Sequence, residues 1–194
     1  MEQPELSTLD ELAREARACT ACPDLPLGPA PVLQVSAQAR VLLIGQAPGT
    51  KAHLSGRPFT DASGDRLRAW LAITPEIFYD PTKLCILPMG LCYPGRLPKG
   101  GDCPPRPLCA PLWHSRFLAL MPRIELVLLV GSYAIKHYLG PGLMTDHVRR
   151  GRAGKFWPLP HPSWRTGHWE RQNPWFTHAT LPALRAELCR LTAQ

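Results

Sequence analysis

An α/β fold, a three-layer α/β/α sandwich around a central, mainly parallel sheet of about four strands, is what the chain predicts. Two observations carry this. Apolar runs of only four to seven residues end at glycine or proline, as buried parallel strands do, and segments of helical period separate them. Thr8-x-x-Glu11 reads as a capping box opening a helix of about ten residues, with Leu9, Leu12 and Ala13 on one face. Val41–Ile44 is the first strand. Residues 64–73 repeat apolar Leu67, Trp70 and Leu71 at helical spacing. A second strand is expected at 84–87, then a Gly/Pro-rich loop over 88–107 and a helix over 111–120. The strongest strand is 124–130; after Gly131 and Ser132 a helix follows at 133–139, a last strand at Phe156–Leu159 and a terminal helix at 182–192.

Length and composition bound the rest. A chain of 194 residues with 45% hydrophobic content is sized for one domain, 1–194, here with an N-terminal helix and a Cys-bearing loop. The net charge of +7, carried mostly by arginine, suits a polyanionic partner. The 23 prolines are scattered among apolar runs, which implies stiff loops rather than disorder. With neither a signal-like N-terminus nor a long apolar run, the expectation is a cytoplasmic monomer without membrane contact, its seven cysteines reduced or metal-bound.

Two short stretches carry the chemistry. Gly45-Gln46-Ala47-Pro48-Gly49 follows the first strand, where absent side chains let backbone N–H groups approach a ligand. It matches neither the dinucleotide fingerprint nor the phosphate loop, and a tight strand-to-loop turn is the plain alternative. Phe59, in Gly56-Arg57-Pro58-Phe59, is either a core residue or a platform for stacking a base. In Pro160-His161-Pro162-Ser163-Trp164-Arg165, two prolines restrict where the imidazole can point. Beyond it, Trp164, Arg165, His168, Trp169, Arg171 and Trp175 interleave aromatic and basic side chains, as in a loop lying along nucleic acid or a Trp-rich flank of the core. Cys19-x-x-Cys22, with Cys92 and Cys109 bracketing the Gly/Pro-rich loop, could bind zinc, an iron–sulfur cluster or nothing. Cys103 rivals one of the four, and Cys85 and Cys189 fit apolar patterns as core residues.

The ordered set Gly45-Gln46-Ala47-Pro48-Gly49, Gly56-Arg57-Pro58-Phe59 and His161-Pro162-Ser163 resembles the motifs of the uracil-DNA glycosylase superfamily, over about residues 19–176. The iron–sulfur (family 4-like) branch is the most similar. The resemblance implies a base-excision repair enzyme that flips uracil or another deaminated base out of DNA and hydrolyses its N-glycosidic bond. It favours a 4Fe–4S cluster, with zinc the alternative, on Cys19, Cys22, Cys92 and Cys109. It assigns His161 and Gln46 to the catalytic site, with His161 bonding the base carbonyl. Gly45, Ala47, Pro48, Gly49, Phe59, Pro88 and Met89 fall around the base, and Lys51, Pro162, Ser163, Trp164 and Arg165 on DNA.

Three departures from the family pattern stand out. An acidic residue often begins the first motif, where this chain has Gln46; Asp61 is the nearest substitute. An asparagine usually reads the base amide edge where this chain has Pro88, followed by Met89. His53 follows the first motif, but the arginine-rich insert of the branch that bonds covalently to DNA is missing, so covalent trapping is not expected. A non-catalytic binder of damaged or single-stranded DNA is the alternative function, and a nucleotide- or nucleoside-binding protein a third.

Overall fold

A computed structural model describes residues 8–193. Thr8 accepts the Glu11 N–H while the Glu11 carboxylate accepts the Thr8 N–H, so the capping box starts α1 (Leu9–Arg17). Four strands form one parallel sheet in the order β2-β1-β3-β4: β1 Val41–Ile44, β2 Leu84–Ile86, β3 Leu126–Val130 and β4 Phe156–Leu159. The β1, β2 and β3 side chains are buried throughout, which is why these strands read as continuous apolar runs rather than alternating ones.

Parallel neighbours need long crossovers, and helices supply them. Between β1 and β2 run α2 (Thr50–Ser55), α3 (Ala62–Leu71) and α4 (Pro75–Phe78). Between β2 and β3 lies α5 (Cys109–Ala119), and between β3 and β4 lie α6 (Ser132–Leu139) and α7 (Met144–Arg150). After β4 come α8 (Thr166–Gln172), a π-helical turn at Phe176–Thr180 and α9 (Leu181–Thr192). Helix α3 packs with α9, and α1 packs with α5. The β1→β2 connection runs one way along the sheet and β2→β3→β4 the other, placing helices on both faces and a topological switch between β1 and β3. No helix among the described residues is long and apolar enough to cross a membrane.

Several expectations are corrected. Helices α2, α4, α7 and α8 are too short for their periodicity to rise above loop composition. The aromatic-basic stretch after His161 divides: Trp164 is 81% exposed, whereas Trp169 and Trp175 pack on the core around Phe176, with ring centroids 5.2 Å and 6.4 Å away. Helix α8 produces this by turning Trp169 inward, where its Nε1 donates to Thr145 Oγ1 at 2.8 Å. Cys85 is buried as expected, but Cys189 lies on the exposed face of α9 and is not a core residue.

Phe176 is fully buried under Trp70, Trp169 and Trp175 and joins the π-helical turn to α3 and α8. Replacing Phe176 with Ala should lower unfolding free energy by about 3–5 kcal/mol, read as a drop in urea midpoint.

Candidate active site

The ends of β1, β3 and β4 meet at the switch point. The loop after β1, the start of α3, the 88–107 loop and the segment after β4 together enclose a cavity of about 430 Å³. Gly45, Ala47, Pro48, Gly49, Lys51, Phe59, Asp61, Pro88, Arg96, Asp102 and His161 are among its lining residues. His161 and the first motif, far apart in the chain, thus face one space. Gly131, which follows β3 with φ +88°, lets His161 pack close to that strand end: a β-carbon there would lie 3.5 Å from His161 Cβ.

The first motif is held by its carbonyls. Met89 N–H donates to Gly45 O and Gly90 N–H to Gln46 O, both at 2.9 Å. Among the described residues the Gln46 and Ala47 N–H groups have no protein acceptor, and of the two residues Ala47 lines the cavity. The Gln46 side chain is turned toward the 88–107 loop. Its side-chain amide donates to the Cys103 carbonyl at 2.9 Å, and Gln46 is not among the cavity-lining residues. Met89 is buried and borders a different groove, with Pro104, Tyr133 and His137.

Phe59 is built with strain. Its φ of +53° lies in the left-handed region that a side chain disfavours, and three groups keep it there. Arg68 Nη1 and the Tyr79 hydroxyl both donate to Phe59 O, at 3.2 and 2.9 Å. Gly64 lets helix α3 press against it, because a β-carbon at 64 would come within 1.9 Å of that carbonyl. The ring stands edge-on to Phe78, with centroids 6.0 Å apart, and closes over Gly45, whose added β-carbon would meet Phe59 Cζ at 3.2 Å. Asp61 lines the cavity while Oδ1 accepts the Gly64 N–H at 3.1 Å, capping α3.

The His161 segment is anchored from outside. The Thr166 hydroxyl donates to His161 O, Ser163 N–H donates to the same carbonyl at 2.8 Å, and Arg66 Nη1 reaches from α3 to Ser163 O at 2.6 Å. Arg66 also lies 4.0 Å from Glu170. His161 opens to solvent through the cavity, yet protein on its other sides lowers its pKa below the ordinary imidazole value by desolvation. The Asp61 and Asp102 charges oppose that shift only in part. The imidazole is therefore neutral at pH 7 and can donate one hydrogen bond without carrying charge.

On the opposite wall, His114 Nε2–H donates to Pro88 O at 3.0 Å, and the Tyr138 hydroxyl donates to His114 Nδ1 at 2.6 Å. The Pro88 carbonyl is thereby already engaged, so Pro88 presents mainly its ring to the cavity. Burial pushes the His114 pKa down to about 4.

Asp102, Arg96, Arg66 and His114 escaped the sequence reading. Asp102 sits in a Gly/Pro-rich loop with no periodicity; the one available signal was an acid between two glycines and a cysteine.

The thiols converge elsewhere. Cys19, Cys22, Cys92 and Cys109 line one small cavity with Leu25, Pro29, Pro31, Leu91 and Trp113. Cys103 is not part of that lining; its sulfur lies 3.8 Å from where a Gly95 β-carbon would stand. Leu91 N–H points at Cys109 Sγ at 3.3 Å, and Arg106 lines the same space while paired with Asp24 at 2.6 Å. Among the described residues, no three His, Cys, Asp or Glu side chains are grouped closely enough to ligate a single metal ion.

A family model described as the uracil DNA glycosylase superfamily matches residues 33–185, spanning both motifs and every strand. The chain belongs to that superfamily.

Two outcomes follow from the packing. Gly64→Ala should push Phe59 off its position and cost about 1–3 kcal/mol in urea denaturation. Because His114 stays neutral when folded and charges when unfolded, stability should fall as pH drops from 6.5 toward 4, by about 3 kcal/mol for this group alone. His114→Gln should remove that share, measured as the difference between wild-type and variant stability curves.

Proposed function

We propose that this member of the superfamily is a DNA base-excision glycosylase that takes a uracil or another deaminated base into the 430 Å³ cavity and hydrolyses its N-glycosidic bond. The observation that carries this reading is the sharing of one space by three different means of gripping a flat polar ring. The first motif supplies unpaired backbone N–H donors, Phe59 an aromatic edge and His161 a neutral imidazole donor.

As the bond breaks, negative charge gathers on the base oxygens and positive charge on the sugar. Donors fixed beforehand by the Met89, Gly90 and Thr166 hydrogen bonds need no reorganisation when that charge appears. Asp61 keeps one carboxylate oxygen outside its capping bond and is offered to the cationic sugar. At the rim, Lys51 and Ser163 suit backbone phosphates. Trp164 is 81% exposed with Arg165 5.3 Å over its ring, and an exposed aromatic of this kind suits filling the gap an extruded nucleotide leaves. Pro162 is buried and stiffens that approach.

With Pro88 presenting only its ring, no side-chain amide reads the base edge there. Discrimination then rests on His161 and the backbone donors, which a keto group of several deaminated bases satisfies. Gln46 tied to Cys103 removes one expected participant and favours the second reading, a binder of damaged or single-stranded DNA without cleavage.

The four thiols fit a 4Fe–4S cluster by their chemistry: sulfur donors around an apolar space, an N–H aimed at one sulfur and a nearby guanidinium to offset negative charge. A single zinc ion requires four sulfurs each about 2.3 Å from one point, a tighter grouping. The bound group would pin the segment after α1 to the 88–107 loop, a structural role. As-purified protein should carry iron and the brown colour of a cluster, and Cys92→Ser should lose both; zinc with no iron would replace the cluster.

A duplex bearing one uracil, incubated with protein and then treated with alkali, tests the activity. Strand scission is expected, falling by about 100-fold or more in His161→Ala. Tight binding with no scission on uracil, hypoxanthine, xanthine or mismatched thymine would leave the binder.

A further inference from the structure

The cavity holds a carboxylate that the family motifs do not supply. Residues 95–103 form a small ribbon: Arg96 pairs with Asp102 in an antiparallel bridge, Cys103 N–H donates to Gly95 O at 2.8 Å, and Leu97 N–H donates to Gly101 O at 2.9 Å. Its turn uses Gly100 and Gly101 at φ +85° and +88°. This ribbon carries Asp102 into the cavity lining, with Oδ2 3.7 Å from where a Gly49 β-carbon would stand. The tip also reaches the His161 segment, because a β-carbon at Gly101 would lie 3.9 Å from Arg165 Nη1.

Three features separate Asp102 from an ordinary surface acid. Among the described residues its carboxylate makes no hydrogen bond and no ion pair, although Arg96 stands across the bridge. It lies within electrostatic reach of both His161 and Asp61. Its ribbon is fastened to the first motif by a hydrogen bond from the Gln46 amide to the carbonyl of Cys103, the residue next to it. Gln46 occupies the place where relatives often carry an acid, and here it holds the strand that brings an acid from elsewhere.

We propose that Asp102 is a catalytic carboxylate of this enzyme and Gln46 its positioning residue. The proposal rests on the glycosylase reading. In the step assigned to it, the bond between sugar C1′ and the base nitrogen breaks and its electron pair leaves with the base. A water oxygen bonds C1′, and that water's proton passes to Asp102. Asp102 then releases the proton to solvent, from which the departing base takes one, so the products are free base and an abasic sugar. Asp61, with one oxygen on the Gly64 N–H, is the more constrained of the two acids. Burial raises the Asp102 pKa above the usual carboxylate value, toward what a base working near neutrality needs.

The test is single-turnover cleavage of a base-containing duplex between pH 4.5 and 8.5, with about four units of pH range to resolve an acid limb. The wild-type rate should fall on the acid side as the carboxylate protonates. Asp102→Asn should lower the plateau by about 100-fold or more, flatten that limb, and keep DNA affinity within about threefold. Because Asp102 holds no hydrogen bond, its variant should melt like the wild type. Gln46→Leu should slow cleavage while retaining the acid limb, the signature of a group that positions rather than reacts. Asp102→Asn with a near-wild-type rate overturns the assignment and leaves the glycosylase reading intact. Gln46→Leu with an unchanged rate overturns the anchoring role. A wild-type protein inert on every base tested overturns the glycosylase reading and this assignment with it.

Discussion

In an all-parallel sheet every strand must return by a crossover, so all the strand ends of one polarity emerge along a single edge. The candidate active site depends on that constraint. The pairing of β1 with β3 and of β3 with β4 places Gly45, Gly131 and His161 at neighbouring strand ends, although they are scattered through the chain. Reversal of winding direction between β1 and β3 opens the space they face. A slip in register of any one strand would move a motif away from its partners without altering its sequence.

Around this edge, long side chains hold loops that carry no core of their own. Arg66 reaches from α3 to the His161 segment, Arg68 and Tyr79 fasten Phe59, His114 takes the Pro88 carbonyl, and Gln46 ties down the ribbon. Each tether ends on a backbone carbonyl rather than on another side chain. This arrangement fixes the path of the loop and leaves its side chains free to face the cavity. It also accounts for the tolerated strain at Phe59, where two donors and a close helix outweigh a left-handed backbone.

The thiol cavity lies where both ends of the 88–107 loop meet the segment after α1. A segment rich in proline and glycine offers little apolar surface to bury, and α1 packs on α5 with the Arg116–Glu15 ion pair between them. Four sulfurs drawn from the segment after α1, the loop and the first turn of α5 face one small cavity between these parts.

What the chain alone determined was whatever repeats locally. Four apolar runs marked the strands, with Phe156–Leu159 bounded as the structure has it, and Thr8 with Glu11 marked the first cap. The motifs at 45–49, 56–59 and 161–163 marked the family, and the two-plus-two cysteines line one cavity. Tertiary structure decided which side chains of a suggestive type face the cavity. The Gln46 amide serves a carbonyl, Met89 faces another groove, Trp169 joined the core while Trp164 did not, and Asp102 carried no periodic signal. The physical reason is one of range. Periodicity and capping arise from contacts a few residues apart, whereas the direction of a loop side chain is set by partners such as Cys103, 57 positions away from Gln46.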